Sequence, residues 1–449
     1  MPSTLDGVNL MPSPAKNSDT PAQISSSDHS SEQTKRGWLA TILGILSPLH
    51  NRNYSLLFSG QLISNIGDAF YWVALPWFML GRGGGAQALG LALTFYGIPR
   101  VGGLLLGGTL SDHLKPRRVM LLSDIARVFL SGALTVLMLQ GHPASWLLYI
   151  VLALMGFFAG LFTPAVWSIT PYILSDHDLQ AGNAITTSSQ QIALFIGSAL
   201  AGVIVSHFQP GIAVAIDALS FIVSTITLGI MHDSRKHLSQ EQSLESKPSL
   251  PIKQGPATFW QLLQTSRYLQ VLLVMTTFMN LGGGAALEVG LPVFVHDALR
   301  AGAGGYGLVL SAFSVGALVG ALVAGGLGNV PHRFTLSLIC FIVEAFAMTL
   351  VPFLGNVQTA ACAMLTAGVL NGLGNVTAVT VMQQALPRHL LGRIMGALAL
   401  TNYGFYPLSV ALGGILVARY GPICVFLLSG TLLMLPCIYG LFQREFREL

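Results

Sequence analysis

Seven ionisable side chains interrupt long apolar runs in this chain: Asp68, Arg100, Asp124, Arg127, Asp217, Glu288 and Glu344. A charge in hydrocarbon is costly, so each marks either chemistry or a deliberate pairing. Gln61, Asn65 and Asp68 recur at spacings of four and three, which puts them on one face of a helix. Such a stripe at mid-run suits the lining of a central cavity, where Asp68 would exchange protons or hold a cation. The alternative for Asp68 is a pairing that only holds helices together. Arg100, in Gly97-Ile98-Pro99-Arg100, has no local counter-ion and needs a partner across helices, with Asp68 one option. Asp124 and Arg127 lie one turn apart near the end of a run, which reads as a structural charge pair. Glu288 follows Gly282-Gly283-Gly284, a run that loosens a helix. A carboxyl in a low-dielectric cavity holds its proton more firmly than in water, which suits reversible protonation. Glu344 fits that role or a simply protonated one against protein. Asp217, close to the end of its run, is expected to be hydrated. Tyr71, one turn from Asp68, could contact an apolar substrate, whereas Trp77 and Phe78 read as part of an interfacial aromatic belt.

Other chemistries are missing from the pattern. The glycine runs at 83–85 and 282–284 lack the following Lys-Ser/Thr or the strand context of a phosphate cradle, so nucleotide-driven work is not expected. Cys340, Cys362, Cys424 and Cys437 all fall inside apolar runs and have no metal or disulfide spacing. No triad, metal or cofactor site is expected, and the chain does not read as an enzyme. The cations are spread over short loops rather than clustered, which argues against nucleic-acid binding despite the net charge of +4.

The elements that must position these residues are membrane spans. The 449 residues are 52% hydrophobic and only 9% charged, against about a quarter charged in soluble domains. Twelve apolar runs, each near the ~20 residues that cross a bilayer, follow one another. They lie at about 54–80, 87–109, 119–139, 146–169, 184–206, 211–231, 269–295, 305–327, 335–354, 358–382, 394–418 and 422–442. Residues 1–52 read as a disordered, Ser- and Pro-rich tail with an interfacial helix near Trp38–Leu49, and no cleaved signal peptide. The polar stretch 232–267 divides the rest into six-helix bundles at 53–231 and 268–443, with a short tail at 444–449. Of the 22 Lys and Arg, only Arg82, Arg300 and Arg419 fall on one side, and Arg100 and Arg127 lie inside spans. The rest share the side of both termini, which the positive-inside rule places in the cytoplasm of a cell (inner) membrane.

The two sets of six repeat. At an offset of 212, Gly156, Gly160 and Leu161 align with Gly368, Gly372 and Leu373, and Leu174, His177 and Leu179 with Leu386, His389 and Leu391. A parallel repeat of this kind is the mark of a two-fold transporter fold. Between the second and third runs lies Gly107-Gly108-Thr109-Leu110-Ser111-Asp112-His113-Leu114-Lys115-Pro116-Arg117-Arg118, whose glycines would allow close helix approach. The second copy reads Gly325-Gly326-Leu327-Gly328-Asn329, then Pro331-His332-Arg333, with Asn329 where Asp112 stands. This loop and the repeat resemble the major facilitator superfamily. The resemblance implies an all-α polytopic membrane protein of twelve helices in two pseudo-symmetric bundles. It also implies that Gly108, Asp112, Arg117 and Arg118 form a gating loop.

Arg52-Asn53-Tyr54, Leu57 through Asp68, Pro99-Arg100, Asp124-Ile125-Ala126-Arg127 and Gly182-Asn183-Ala184 are similar to the twelve-helix drug-exporter branch, which includes macrolide efflux and enterobactin exporter-like proteins. The likeness implies a monomeric secondary transporter that exports a small amphipathic molecule, such as a drug, macrolide, siderophore or secondary metabolite. Proton antiport with alternating access would drive it. Antiporters of the family usually carry Gly-Pro in the fifth span, where this chain has Gly197-Ser198. Two alternatives remain: a lipid or metabolite transporter of the other direction, and a non-transporting sensor or assembly member. The coupling and cavity residues expected are Gln61, Asn65, Asp68, Tyr71, Arg100, Glu288 and Glu344.

Overall fold

The computed structural model describes residues 47–141, 143–232, 267–327, 332–385 and 388–443. The tail before Ser47, most of the central stretch, Asn329, residues 444–449 and the side chain of Asp112 lie outside the described residues. Of the expected interfacial helix, only a 3-10 turn, Ser47–His50, is described.

Twelve helices follow: α1 (Arg52–Gly81), α2 (Gly85–His113), α3 (Pro116–Leu139), α4 (Ser145–Ile173), α5 (Asp176–His207) and α6 (Pro210–Ile230), then α7 (Arg267–Gly284), α8 (Gly302–Gly326), α9 (Arg333–Leu350), α10 (Val357–Ala385), α11 (Arg388–Tyr420) and α12 (Pro422–Phe442). Eleven of them carry windows long and apolar enough to cross a membrane. The exception is the 30-residue α1, the helix that carries Gln61, Asn65 and Asp68. Proline at the first turn opens α3, α6 and α12, where the missing N–H costs nothing.

The pseudo-symmetry is visible in the packing. In the first bundle α1 packs on α5 and α6, α2 on α4, and α3 on α4 and α6; in the second, α7 packs on α11 and α12, α8 on α10, and α9 on α10 and α12. Glycines bring equivalent pairs into backbone contact. A Cβ on Gly156 or Gly160 would lie 1.9 Å from Tyr96 O or 2.1 Å from Arg100 O, and on Gly368 or Gly372 it would lie 2.1 Å from Phe313 O or 2.0 Å from Ala317 O. Of the two loop glycines, Gly107 packs against Leu161, but a Cβ on Gly108 would meet nothing within 4 Å. Close approach at Gly108 is therefore not made.

The bundles meet along two seams, α5 against α8 and α2 against α11. At the first, Ser198 and Ser311 share a hydrogen bond of 2.9 Å, and a Cβ on Gly307 would lie 2.8 Å from Gly202 Cα. At the second, a Cβ on Gly90 would lie 2.7 Å from Gly414 Cα, and Gly97 faces Pro407. These contacts all lie toward the end away from the basic loops. Here one apolar core runs through both bundles, from Phe70–Leu80 and Leu89–Tyr96 to Ala285–Val295, Tyr306 and Phe426. Trp77 belongs to this seam, stacking on Tyr306 with centroids 6.4 Å apart and edge-on to His296 at 5.1 Å, and Phe78 is buried. Neither residue forms the interfacial belt the sequence suggests. At the basic end the core splits in two, one cluster around Met120, Ala165 and Leu228 and another around Phe334, Leu338 and Cys437. The bundles are joined at one end and parted at the other.

Candidate functional site

Between the parted ends lies a cavity of about 1080 Å³. It is lined from the first bundle by Trp167, Thr170, Asn183, Thr186, Thr187 and Gln190. From the second come Asn280, Glu288, Phe313, Glu344, Asn371, Asn375, Asn402, Tyr403 and Tyr406, among others. Asn183, Thr187, Gln190 and Asn375 are exposed, so the space is open rather than sealed. Two carboxylates face it, and among its lining residues there is no Lys, Arg or His. Amides and aromatic rings make up most of the remaining polar wall. Such a wall suits a molecule that is apolar in bulk and positively charged at a point.

Glu344 is almost fully buried on α9; Asn371 Nδ2 donates to its Oε1 at 2.8 Å, and its Oε2 has no hydrogen-bond partner. Asn375, one turn along α10, donates to the Asn371 carbonyl and side-chain oxygen at 3.0 and 3.1 Å. Glu288 makes no hydrogen bond among the described residues, and Arg100 is the cation whose charge reaches it. It sits where α7 loses α-helical register, in a π-helical segment, Ala285–Gly290, followed by a short turn, Leu291–Val293, and a second π segment, Phe294–Ala298. The cause is visible. Ser409 on α11 donates to Leu281 O at 2.5 Å and accepts from Ala285 N–H at 2.8 Å, so its hydroxyl is inserted into one rung of the helical ladder. Pro292 then removes the N–H that would close on Glu288 O. The glycine run permits the opening, and Ser409 and Pro292 hold it.

Gln61, Asn65, Asp68, Tyr71 and Arg100 do not line the cavity. Gln61 Nε2 and the Tyr71 hydroxyl are buried without hydrogen-bond partners. Asp68 makes no ion pair or hydrogen bond among the described residues, and Arg127 and Arg100 are the nearby cations whose charge acts on it. Among the described residues Arg100 makes no ion pair with a carboxylate and lies over two rings, 5.7 Å from the Tyr96 centroid and 4.8 Å from that of Tyr403.

Asp124 and Arg127 do pair, at 2.5 Å. The Arg127 guanidinium lies between the rings of Phe162 and Phe221, 4.5 and 4.2 Å from their centroids. Ser224 donates to Asp124 at 2.6 Å and Ser131 to Asp217 at 2.9 Å. Residues 124, 127 and 131 on α3 thus face 217, 220 and 224 on α6, two stripes of identical spacing. Asp217 belongs to this interface and is fully buried, not hydrated as its position near the run's end suggests. In the loop, Arg117 donates to Leu228 O at 2.8 Å and Gly229 O at 2.7 Å, capping the last turn of α6, while Arg118 is exposed.

The comparisons with known proteins fit this geometry. The family model described as Major Facilitator Superfamily matches residues 57–407. The chain belongs to the Major Facilitator Superfamily. Like its relatives it is a transporter and not an enzyme. Macrolide efflux protein A of Streptococcus pyogenes is 24% identical over 398 residues, covering 88% of this chain and 96% of that one. The multidrug efflux pump Tap of Mycolicibacterium fortuitum is 23% identical over 401 residues, covering 88% and 96%. Among solved structures, the nucleoside transporter NupG superposes with a TM-score of 0.65 at 13% identity, covering 86% of this chain and 98% of that one. A bacterial homologue of ferroportin in an inward-facing state gives 0.62 at 17%, covering 87% and 99%. These neighbours share the superfamily fold.

The sequence reading missed Asn371, Asn375, Asn402, Tyr403, Tyr406 and Ser409. The amides carried a signal, since Asn371 and Asn375 recur at helical spacing within an apolar run. Ser409 carried none, because its role depends on which helix it faces.

Proposed function

We propose that the protein exports a small amphipathic cation from the cytoplasm in exchange for protons, by alternating access between its two bundles. The observation that carries this is the open cavity with two carboxylates and no cation among its lining residues. An unpaired carboxylate away from bulk water is costly, so Glu288 and Glu344 must hold either protons or the ammonium of a substrate. Mutual exclusion between those two occupants is antiport. The basic end lies in the cytoplasm by the positive-inside rule, with both termini there and the protein in the cell membrane. The cavity then faces the cytoplasm, as an exporter awaiting substrate requires. The macrolide and multidrug efflux relatives support the same direction. Asp68 and the buried α3–α6 charges couple the first bundle to this exchange. The loop with Gly108, Asp112, Arg117 and Arg118 gates it, with Arg117 clasping α6 in the state seen.

The test is accumulation of ethidium in cells lacking their own drug pumps. Expressing cells should hold less dye, a protonophore should erase the difference, and Glu288→Gln and Glu344→Gln should each abolish most of it. Greater accumulation in expressing cells would reverse the direction. Indifference to the protonophore would exclude proton coupling.

A further inference from the structure

Arg100 makes no salt bridge among the described residues. It projects from α2 of the first bundle, yet its contacts are the ring of Tyr96 on its own helix and the ring of Tyr403 on α11 of the second. Tyr403 lines the cavity, as do its neighbour Tyr406 and Glu288, the carboxylate that feels the charge of Arg100. The guanidinium therefore occupies the aromatic and electrostatic environment that an organic cation entering the cavity would seek. It also sits on the α2–α11 seam, close to where Gly97 meets Pro407 and Tyr406. That seam must part before the far end can open.

We propose that Arg100 is a built-in stand-in for the substrate: it clamps α2 to α11 through Tyr403, and the cationic group of a bound substrate displaces it and releases the seam. The inference rests on the reading of the protein as a cation exporter. Two cations cannot both be well served by one ring face and one carboxylate. When the cavity is empty, Arg100 holds the far end shut and the carrier does not open without cargo. When substrate arrives, repulsion and competition for Tyr403 and Glu288 move Arg100 away, and the state with an open far end becomes accessible. Each state then has its own occupant of the same subsite, as a population shift requires.

The experiment uses the full chain in nanodiscs with tetraphenylphosphonium, a permanent lipophilic cation, as probe. Two quantities are read: its equilibrium binding, and the rate at which a water-soluble maleimide reacts with Val410→Cys, a fully buried seam position, after the four native cysteines are replaced by alanine. With Arg100 present, labelling should be slow and should quicken when the probe is added. In Arg100→Gln, the probe should bind about tenfold more tightly, the worth of one desolvated cation–π contact. Labelling should then be fast without probe and insensitive to it. Arg100→Lys, which keeps the charge but stacks less well, should fall between the two and carries the test if the glutamine variant does not fold. Equal probe affinity in all three proteins, with labelling slow and probe-responsive throughout, overturns the stand-in while leaving cation binding intact. Failure of every protein to bind the probe overturns the cation reading itself, and the stand-in with it.

Discussion

Gly90→Ala should shift the balance of states without unfolding the protein. The added Cβ would lie 2.7 Å from Gly414 Cα and 2.8 Å from Val410 O, where ordinary contact begins at 3.4 Å. Both neighbours are backbone, so relief requires α2 and α11 to separate. Overpacking of this kind costs about 1–3 kcal/mol. The clash crosses the seam between bundles, so only the conformation with the far end closed bears that cost. The ratio of open to closed far ends should rise by roughly 5- to 150-fold. Gly372→Ala is the control: its Cβ would lie 2.0 Å from Ala317 O inside the second bundle, a contact kept in every state. It should lower thermal stability and leave the ratio alone. Spin labels at Phe208→Cys and Tyr420→Cys, exposed positions at the far ends of α5 and α11, report the distance by pulsed electron resonance. A long-distance population that grows in the Gly90 variant and not in the Gly372 variant is the expected result. If the two variants lose stability alike with unchanged distances, the seam is not the moving part.

Two further outcomes follow from the buried polar contacts. Asp124→Asn leaves the Arg127 guanidinium buried without its counter-ion, so thermal unfolding should show a loss of about 3–5 kcal/mol; a loss under ~1 kcal/mol would mean that Phe162 and Phe221 suffice to hold it. Ser409→Ala removes the hydroxyl from the α7 ladder, so Ala285 N–H can close on Leu281 O directly. Hydrogen exchange across Ala285–Gly290 should then slow and ethidium export should fall several-fold, because restoring one residue of register turns Glu288 by up to ~100° about the helix. Unchanged exchange there would show that Pro292 alone sets the π register.

Much of the scaffold was legible because bilayer physics is written locally. Span length and the glycines that repeat between Gly156 and Gly368 need no knowledge of neighbours. The Asp124–Arg127 pair was legible for the same reason, being one turn apart. What could not be read was which faces look at each other. Gln61, Asn65 and Asp68 do share a helix, but the cavity wall is drawn from α4, α5 and the second bundle, so the stripe's destination was hidden. Asp217 looked hydrated because depth along a run says nothing about burial sideways, and its partner Ser131 lies on another helix. The need of Arg100 for a partner across helices is legible from its place in the run, but that the partner is the ring of Tyr403 on α11 is not.

The division of the apolar core has a consequence for what holds the two bundles together. Where the first bundle ends, the backbone N–H and C=O of His232 bond the side chain of Asn53, fastening the exit from α6 to the start of α1. Cohesion between the described parts of the two bundles comes from the core they share at the far end. Among the described residues no core of this kind joins the bundles at the basic end, so side chains there can be exchanged without loosening one bundle from the other, whereas a single added methyl at the far seam strains both.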